Sequence, residues 1–170
     1  MKKVFSILFV SVALFVSQSI SAQKTIVDVA VGNDDFSTLV AALKAADLVG
    51  ALQSDGPFTV FAPTNASFDK IDANTLNSLL EPANKKALSN ILTYHVVSGK
   101  LMAKDVAGAL EKGNGEVEVT ALNGQKLKVL QKDGKIWLQD QNGAYSQIVA
   151  TDVTANNGVI HVISDVVMPK

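Results

Sequence analysis

The two histidines are the side chains with the widest chemical scope, since imidazole can act as a general base or as a metal ligand. His95 lies on an apolar helical stripe and His161 inside an apolar strand, with no ligand-type spacing around either residue. The sequence contains no Gly-x-Ser-x-Gly turn and no glycine-rich phosphate loop. We therefore expect two core histidines, no catalytic residue, no metal and no cofactor. The prediction is that the protein is not an enzyme.

Charge and cysteine content exclude further classes of function. The 170 residues include 15 basic and 16 acidic side chains, and every basic side chain is a lysine. A nucleic-acid-binding protein typically has a basic surplus and uses arginine to contact phosphates and guanine, so we expect no nucleic-acid partner. Cysteine is absent, which excludes a disulfide framework, a thiol nucleophile and a lipid anchor on cysteine.

The N-terminus has the pattern of a secretory signal peptide. Lys2 and Lys3 precede an apolar stretch over residues 4–16, and small residues lead to Ala22. The apolar stretch is too short to cross ~30 Å of hydrocarbon, so no stable membrane anchor is expected. We predict a signal peptide over residues 1–22 and a single domain over residues 23–170. The mature chain would be exported, to a periplasm or out of the cell.

Helices in the first half of this domain must position His95. Asn33 offers a helix cap before an apolar stripe at i, i+3, i+4 and i+7, formed by Phe36, Leu39, Val40 and Leu43. A short buried strand over residues 58–61 follows, and Thr64 or Asn65 could cap the next helix. Pro82 then predicts the first turn of a helix that carries Leu88, Ile91, Leu92 and His95 on one stripe.

Strands in the second half must position His161. From Glu116 onward, apolar and polar residues alternate with a period of two, which is typical of half-buried strands. Four dipeptides between the runs predict tight hairpin turns with positive φ: Asn123-Gly124, Asp133-Gly134, Asn142-Gly143 and Asn157-Gly158. The last run, residues 159–163, is apolar on both faces and should lie in the middle of the core. The sequence therefore predicts one α+β domain.

Three segments together resemble the fasciclin-type domain, the adhesion-associated module also found in periostin and transforming-growth-factor-induced proteins. Residues 58–68 (FTVFAPTNASF) are similar to the N-terminal box of that family, and residues 92–99 (LTYHVVSG) to its Tyr-His segment. Residues 157–163 (NGVIHVI) are similar to its C-terminal box. The resemblance covers essentially residues 23–170. It implies a wedge-shaped β-sandwich with several helices packed in the N-terminal half.

The resemblance also implies a function and candidate residues. It implies a secreted adhesion module that binds a cell-surface or matrix protein or polysaccharide, as a monomer or with weak self-association. Tyr94 and His95 match the motif linked to integrin-dependent adhesion in animal relatives. Asp152 and Val153 partly match an Asp-Ile pair of integrin-binding members, in which an exposed aspartate could complete a metal site on a receptor.

Each candidate residue also has a purely structural interpretation. Tyr94 and His95 suit the core of a helix-to-strand junction, and buried side chains are out of reach of a partner. Asp152 suits a solvated carboxylate in a turn or an edge strand. A second functional class stays open as well, a soluble exported binding protein for a small or lipid-like ligand. An enclosed apolar cavity would favour that second class, and an exposed patch without a pocket the first.

Overall fold

The computed structural model describes residues 24–170, and the predicted signal peptide lies outside them. The helices are α1 (Ile26–Val31), α2 (Ser37–Ala45), α3 (Val49–Leu52), α4 (Asn65–Phe68), α5 (Ala73–Leu80), α6 (Lys85–Tyr94) and α7 (Ala103–Lys112). The strands are β1 (Phe58–Pro63), β2 (Val96–Ser98), β3 (Glu116–Thr120), β4 (Lys126–Lys132), β5 (Lys135–Gln139), β6 (Tyr145–Ala155) and β7 (Gly158–Ile163). The α+β class is therefore confirmed, with helices first and hairpins afterwards.

The strands form one sheet in the order β2-β1-β7-β6-β5-β4-β3. β7 lies in the middle, parallel to β1 and antiparallel to β6, as its apolar character on both faces predicts. The eleven residues of β6 carry register shifts between Ile148 and Val153, where the strand bends from one half of the sheet into the other. A bridge from Val97 to Ala121 brings β2 back beside the end of β3. The sheet is thus folded into a sandwich that nearly closes as a barrel.

Two apolar clusters fill the molecule. The first lies between the N-terminal helices and the sheet, and it contains the predicted stripe of α2 together with Leu88 and Leu92 of α6. The second lies inside the sandwich and contains the inward residues of β4 and β5 with two residues of α7. The helical stripe and the strand alternation predicted from the sequence therefore face the core.

Three of the four predicted hairpin turns have the expected backbone. Asp133 and Gly134 both have positive φ, of 54° and 73°, between β4 and β5, and Gly124 and Gly143 also have positive φ. A tight hairpin also connects β6 to β7, with Ala155 opposite Gly158, but the predicted positive φ is wrong there, since neither Asn157 nor Gly158 has it. Gly158 is required for a different reason. A Cβ atom there would collide with the Phe58 carbonyl oxygen of the parallel strand β1.

Candidate functional site

Tyr94 ends helix α6 and is fully enclosed, with 0% of its surface exposed. Its hydroxyl donates a hydrogen bond of 2.8 Å to the Lys126 carbonyl oxygen in β4. Burial, with a smaller contribution from the Asp140 carboxylate, raises the pKa of Tyr94 to about 12. The phenol is therefore neutral, and the hydrogen bond from its hydroxyl attaches the end of α6 to the sheet.

His95 follows as the C-cap of α6 and is 2% exposed. Its Nδ1 lies 2.8 Å from the Ile91 carbonyl oxygen and donates to it, while Nε2 accepts from the Val167 amide at 3.2 Å. Burial lowers the pKa of His95 to about 4. The ring is thus neutral and holds the C-terminal segment against the helix.

His161 in β7 has the opposite tautomer. Its Nε2 donates to the Leu101 carbonyl oxygen at 2.8 Å, and its Nδ1 accepts from the Asp152 amide at 3.3 Å. The ring is 1% exposed and lies beside that of Phe61, with 5.8 Å between ring centroids. Both histidines are therefore core residues, and both nitrogens of each ring are paired with backbone groups. The sequence analysis predicts two core histidines.

Asp152 lies at the bulge of β6 and has a φ of 59°. Its Oδ1 accepts from the Ala103 amide at 2.8 Å and so satisfies the first N–H of α7. The side chain is half-buried, and at Asp152 β6 pairs with β7 alone, because β5 pairs only with residues 145–147 of β6. The expected solvated carboxylate is thus half-buried, with one oxygen bonded to the backbone. Oδ2 forms no hydrogen bond within residues 24–170 and is not enclosed, which leaves one carboxylate oxygen accessible.

Val153, the neighbour of Asp152, is also half-buried. It pairs with Ile160 of β7 and packs against the first apolar cluster. The structure therefore separates the four candidate residues into two groups. Tyr94 and His95 are enclosed, and Asp152 and Val153 are partly accessible.

Asn157 lies in the hairpin turn between β6 and β7 and has a structural role beyond the one that the sequence predicts. It is 6% exposed, and its Oδ1 accepts from the Ile26 amide at 2.9 Å at the start of α1. Its Nδ2 donates at 2.8 Å to the carbonyl oxygens of Leu52 and Ser54. The Asn-Gly pair lies inside the segment that resembles the C-terminal box of the family, and this was the available signal for a structural role. The hydrogen-bond partners of Asn157 could not be predicted, because they lie more than 100 positions away in the chain.

Asn65 has a related role beyond the turn predicted for it. Its Oδ1 accepts from the Thr38 amide at 3.0 Å, and its Nδ2 donates to the Asp34 carbonyl oxygen at 2.8 Å. Thr64 is the residue that caps α4, with its hydroxyl 3.1 Å from that of Ser67. Asn65 thus ties α4 to the start of α2.

The apolar cavity that residues 24–170 enclose between the N-terminal helices and the sheet is small. A cavity of about 20 Å³ lies in the first apolar cluster, lined by side chains that include Phe36, Leu39, Val60, Leu92 and His95. Such a volume holds about one water molecule, whereas pockets for small organic ligands enclose about 300–1,000 Å³. The cavity therefore does not fit a lipid-like ligand.

Residues 24–170 present no cluster of three or more His, Asp or Glu side chains with metal-binding geometry. None of the described helices is long and apolar enough to cross a membrane. The fold and the site define an α+β module whose buried polar groups support its own backbone.

Comparison with known proteins gives the family. The family model described as Fasciclin domain matches residues 34–169. Protein sll1483 of Synechocystis is 51% identical over 145 residues, which are 85% of this chain and 73% of that protein. The transforming growth factor-beta-induced protein ig-h3 of Sus scrofa is 37% identical over 145 residues, 85% of this chain and 19% of that protein. This chain belongs to the Fasciclin domain family.

A solved structure shows the same fold. The FAS1 domain pair from the insect cell adhesion molecule Fasciclin I matches with a TM-score of 0.73 at 19% sequence identity. The match covers 84% of this chain and 50% of that chain. The fasciclin-type fold that the three sequence segments imply is thus confirmed.

Proposed function

We propose that this protein is an exported, non-enzymatic adhesion module that binds a cell-surface or matrix protein or polysaccharide. The Asp152–Val153 segment takes part in the contact. One observation carries the proposal: Asp152 has one carboxylate oxygen bonded to the backbone of α7 and a second oxygen that stays accessible. The aspartate is therefore held in place and still able to accept a bond or a cation from a partner.

Three further points support a surface interaction. The enclosed cavity of about 20 Å³ is too small for a small-molecule ligand, and a more open apolar groove of about 270 Å³, lined by residues that include Leu52, Phe58 and Leu122, lies below the usual range of about 300–1,000 Å³. Tyr94 and His95 have their polar atoms paired inside the fold, so their contribution is to keep the region rigid. The insect relative in structure is named as a cell adhesion molecule, which agrees with a function in adhesion.

The test compares substitutions that change charge without changing shape. Asp152→Asn keeps an oxygen for the Ala103 amide and tolerates positive φ, but it removes the negative charge. The matched control is Asp47→Asn, an exposed aspartate with nearly the same φ, of 60°, between α2 and α3. We expect Asp152→Asn to reduce adhesion to cells or matrix fractions several-fold at an unchanged urea midpoint, and Asp47→Asn to leave adhesion intact.

Equal adhesion by wild type and Asp152→Asn would remove Asp152 from the contact. Absence of adhesion by the wild type to envelope, cell and matrix fractions would overturn the proposed function as a whole. Reduced adhesion by both aspartate variants would show a general effect of charge and would also remove the specific role of Asp152.

A further inference from the structure

The outer face of the second half of the sheet is not covered by any helix among residues 24–170. Helix α7 packs on the opposite face, where Val106 and Leu110 contact the inward residues of β4 and β5. The strand register aligns the outward side chains in rows across β3, β4, β5 and β6. We call this surface the outer face; its members are Glu116, Glu118, Lys126, Lys128, Leu130, Lys132, Lys135, Trp137, Gln139, Tyr145 and Gln147.

Two aromatic rings occupy the centre of the outer face. Trp137 is opposite Gln147 and Tyr145 is opposite Gln139, so the two rings are diagonal neighbours on adjacent strands. Tyr145 is 51% exposed, and its hydroxyl accepts a bond of 2.9 Å from the Gln139 amide, which leaves the hydroxyl hydrogen free to donate. Flat apolar rings and polar amide and hydroxyl groups therefore lie side by side on this face.

Trp137 has an unusual feature. Its indole Nε1 is covered by the protein and has no hydrogen-bond partner among the described residues. Leaving a buried donor unpaired is unfavourable, and such groups are uncommon in folded proteins. A ligand oxygen that displaces the covering side chains would recover this bond.

Lysines surround the aromatic pair. The outer face holds four lysines and two glutamates, a charge of +2, on a chain whose net charge is −1. Lys128 pairs with Glu116 at 2.8 Å, whereas Lys126, Lys132 and Lys135 form no ion pair within residues 24–170. Lys132 and Lys135 are directly opposite each other, an unfavourable arrangement of like charges that an anion would relieve.

We propose that the outer face binds an acidic polysaccharide that carries uronic-acid carboxylates. The carboxylates pair with Lys126, Lys132 and Lys135, the sugar rings stack on Trp137 and Tyr145, and sugar hydroxyls bond to Gln139 and Gln147. The inference rests on the proposed function and names the partner class for a second surface of the same module. Strands lie ~4.8 Å apart, so four strands give about 14 Å of width, enough for an extended sugar chain.

The chemistry of the outer face favours a polysaccharide over two other occupants. A second sheet packed face to face would enclose the lysines and glutamates away from water, which is costly for unpaired charges. A surface that binds nucleic acid typically carries a larger surplus of basic side chains and includes arginine, and the chain has no arginine. A hydrated polysaccharide leaves the charged groups in contact with water and can still stack its sugar rings on Trp137 and Tyr145.

The first experiment measures alginate binding at low salt, with neutral dextran as a second probe. Lys132→Gln/Lys135→Gln should weaken alginate binding about tenfold, since each exposed charge pair contributes up to about 1 kcal/mol. The control Lys86→Gln/Lys112→Gln makes the same charge change on exposed helix positions and should stay within twofold of wild type. Raising the salt concentration should weaken alginate binding by wild type, and dextran should bind more weakly than alginate.

The second experiment tests the aromatic centre. Tyr145→Ala should weaken alginate binding several-fold, and Tyr145→Phe, which keeps the ring, should retain most of it. Absence of alginate binding by wild type, equal binding by all variants, or equal and salt-independent binding of dextran would overturn the inference. So would a dimer in sedimentation equilibrium that the Lys132→Gln/Lys135→Gln variant dissociates.

Failure here is distinguishable from failure of the proposed function. Adhesion that depends on Asp152 but not on the outer-face residues would refute the polysaccharide site and leave the adhesion module standing. Absence of both adhesion and alginate binding would refute both.

Discussion

The Tyr94–His95 segment and the Asp152–Val153 segment make opposite use of their polar atoms. In the first, the phenol hydroxyl and both imidazole nitrogens are paired with backbone groups in full burial. In the second, one carboxylate oxygen is paired and the other is accessible. Two segments that resemble adhesion motifs of the family, the second only in part, therefore differ in whether a partner can reach them.

The same difference appears in charge. Tyr94 and His95 are neutral because burial disfavours their charged forms, whereas Asp152 stands at a bulge where water reaches its side chain. Residues of the first segment should therefore control stability, and residues of the second should control binding. Four predictions test that division.

Replacing Tyr94 by alanine should have the largest effect. The substitution removes an enclosed ring and the 2.8 Å hydrogen bond from its hydroxyl to the Lys126 carbonyl oxygen, so we expect a loss of about 3–5 kcal/mol in the free energy of unfolding. Urea unfolding measures this loss. The control is Tyr145→Ala, a tyrosine with half its surface exposed, which should cost less than about 1 kcal/mol. Similar losses in both variants would contradict the contrast.

Acidification should destabilise the fold through His95. The unfolded imidazole has a pKa of 6.5 and the folded one a pKa of about 4, so the unfolded chain binds the proton first. The resulting stability, about 3 kcal/mol, is fully present above pH 6.5 and is lost as the pH falls toward 4. Urea unfolding of wild type and His95→Gln across pH 8 to 4.5 measures it. The two curves should converge at low pH, and a constant separation would refute the role of His95.

Replacing Asp152 by alanine should cost about 1–2 kcal/mol. The change removes the acceptor for the Ala103 amide at the start of α7 and places a Cβ-bearing residue without a polar side chain at positive φ. Asp152→Asn keeps the oxygen acceptor and a polar side chain at positive φ. Its free energy of unfolding should therefore lie within about 0.5 kcal/mol of the wild-type value. If asparagine were as destabilising as alanine, the charge itself would be structural, and the division between the segments would weaken.

The Val153→Ile substitution should have the smallest effect. It adds one methylene to a half-buried side chain beside Ile160, so the free energy of unfolding should change by less than about 1 kcal/mol. Adhesion should stay at least at the wild-type level, since the family resemblance implies isoleucine at this position of integrin-binding members. A clear loss of adhesion at unchanged stability would show that the segment does not act as it does in those relatives.

The sequence predicted the α+β class, the buried histidines and three hairpin turns, because these depend on periodicity and local turn chemistry. The role of Asn157 was not predicted because its partners, Ile26, Leu52 and Ser54, lie far away in the chain. The bond from Asp152 to Ala103 spans 49 positions and was missed for the same reason. Sequence periodicity assigns a residue to a face of its element, but it does not identify the residue's tertiary partner.

By itself, the sequence indicated the family, the helical stripes of α2 and α6, the strands from Glu116 onward and the residue types available at each candidate position. The tertiary structure alone decided which of those residues a partner can reach. Tyr94 and His95 became inaccessible because α6 packs on the sheet and the C-terminal segment covers it. Asp152 kept an accessible oxygen because the bulge in β6 turns its backbone to positive φ beside the start of α7. Accessibility depends on what packs on a residue, and that packing is set by contacts between segments far apart in the chain.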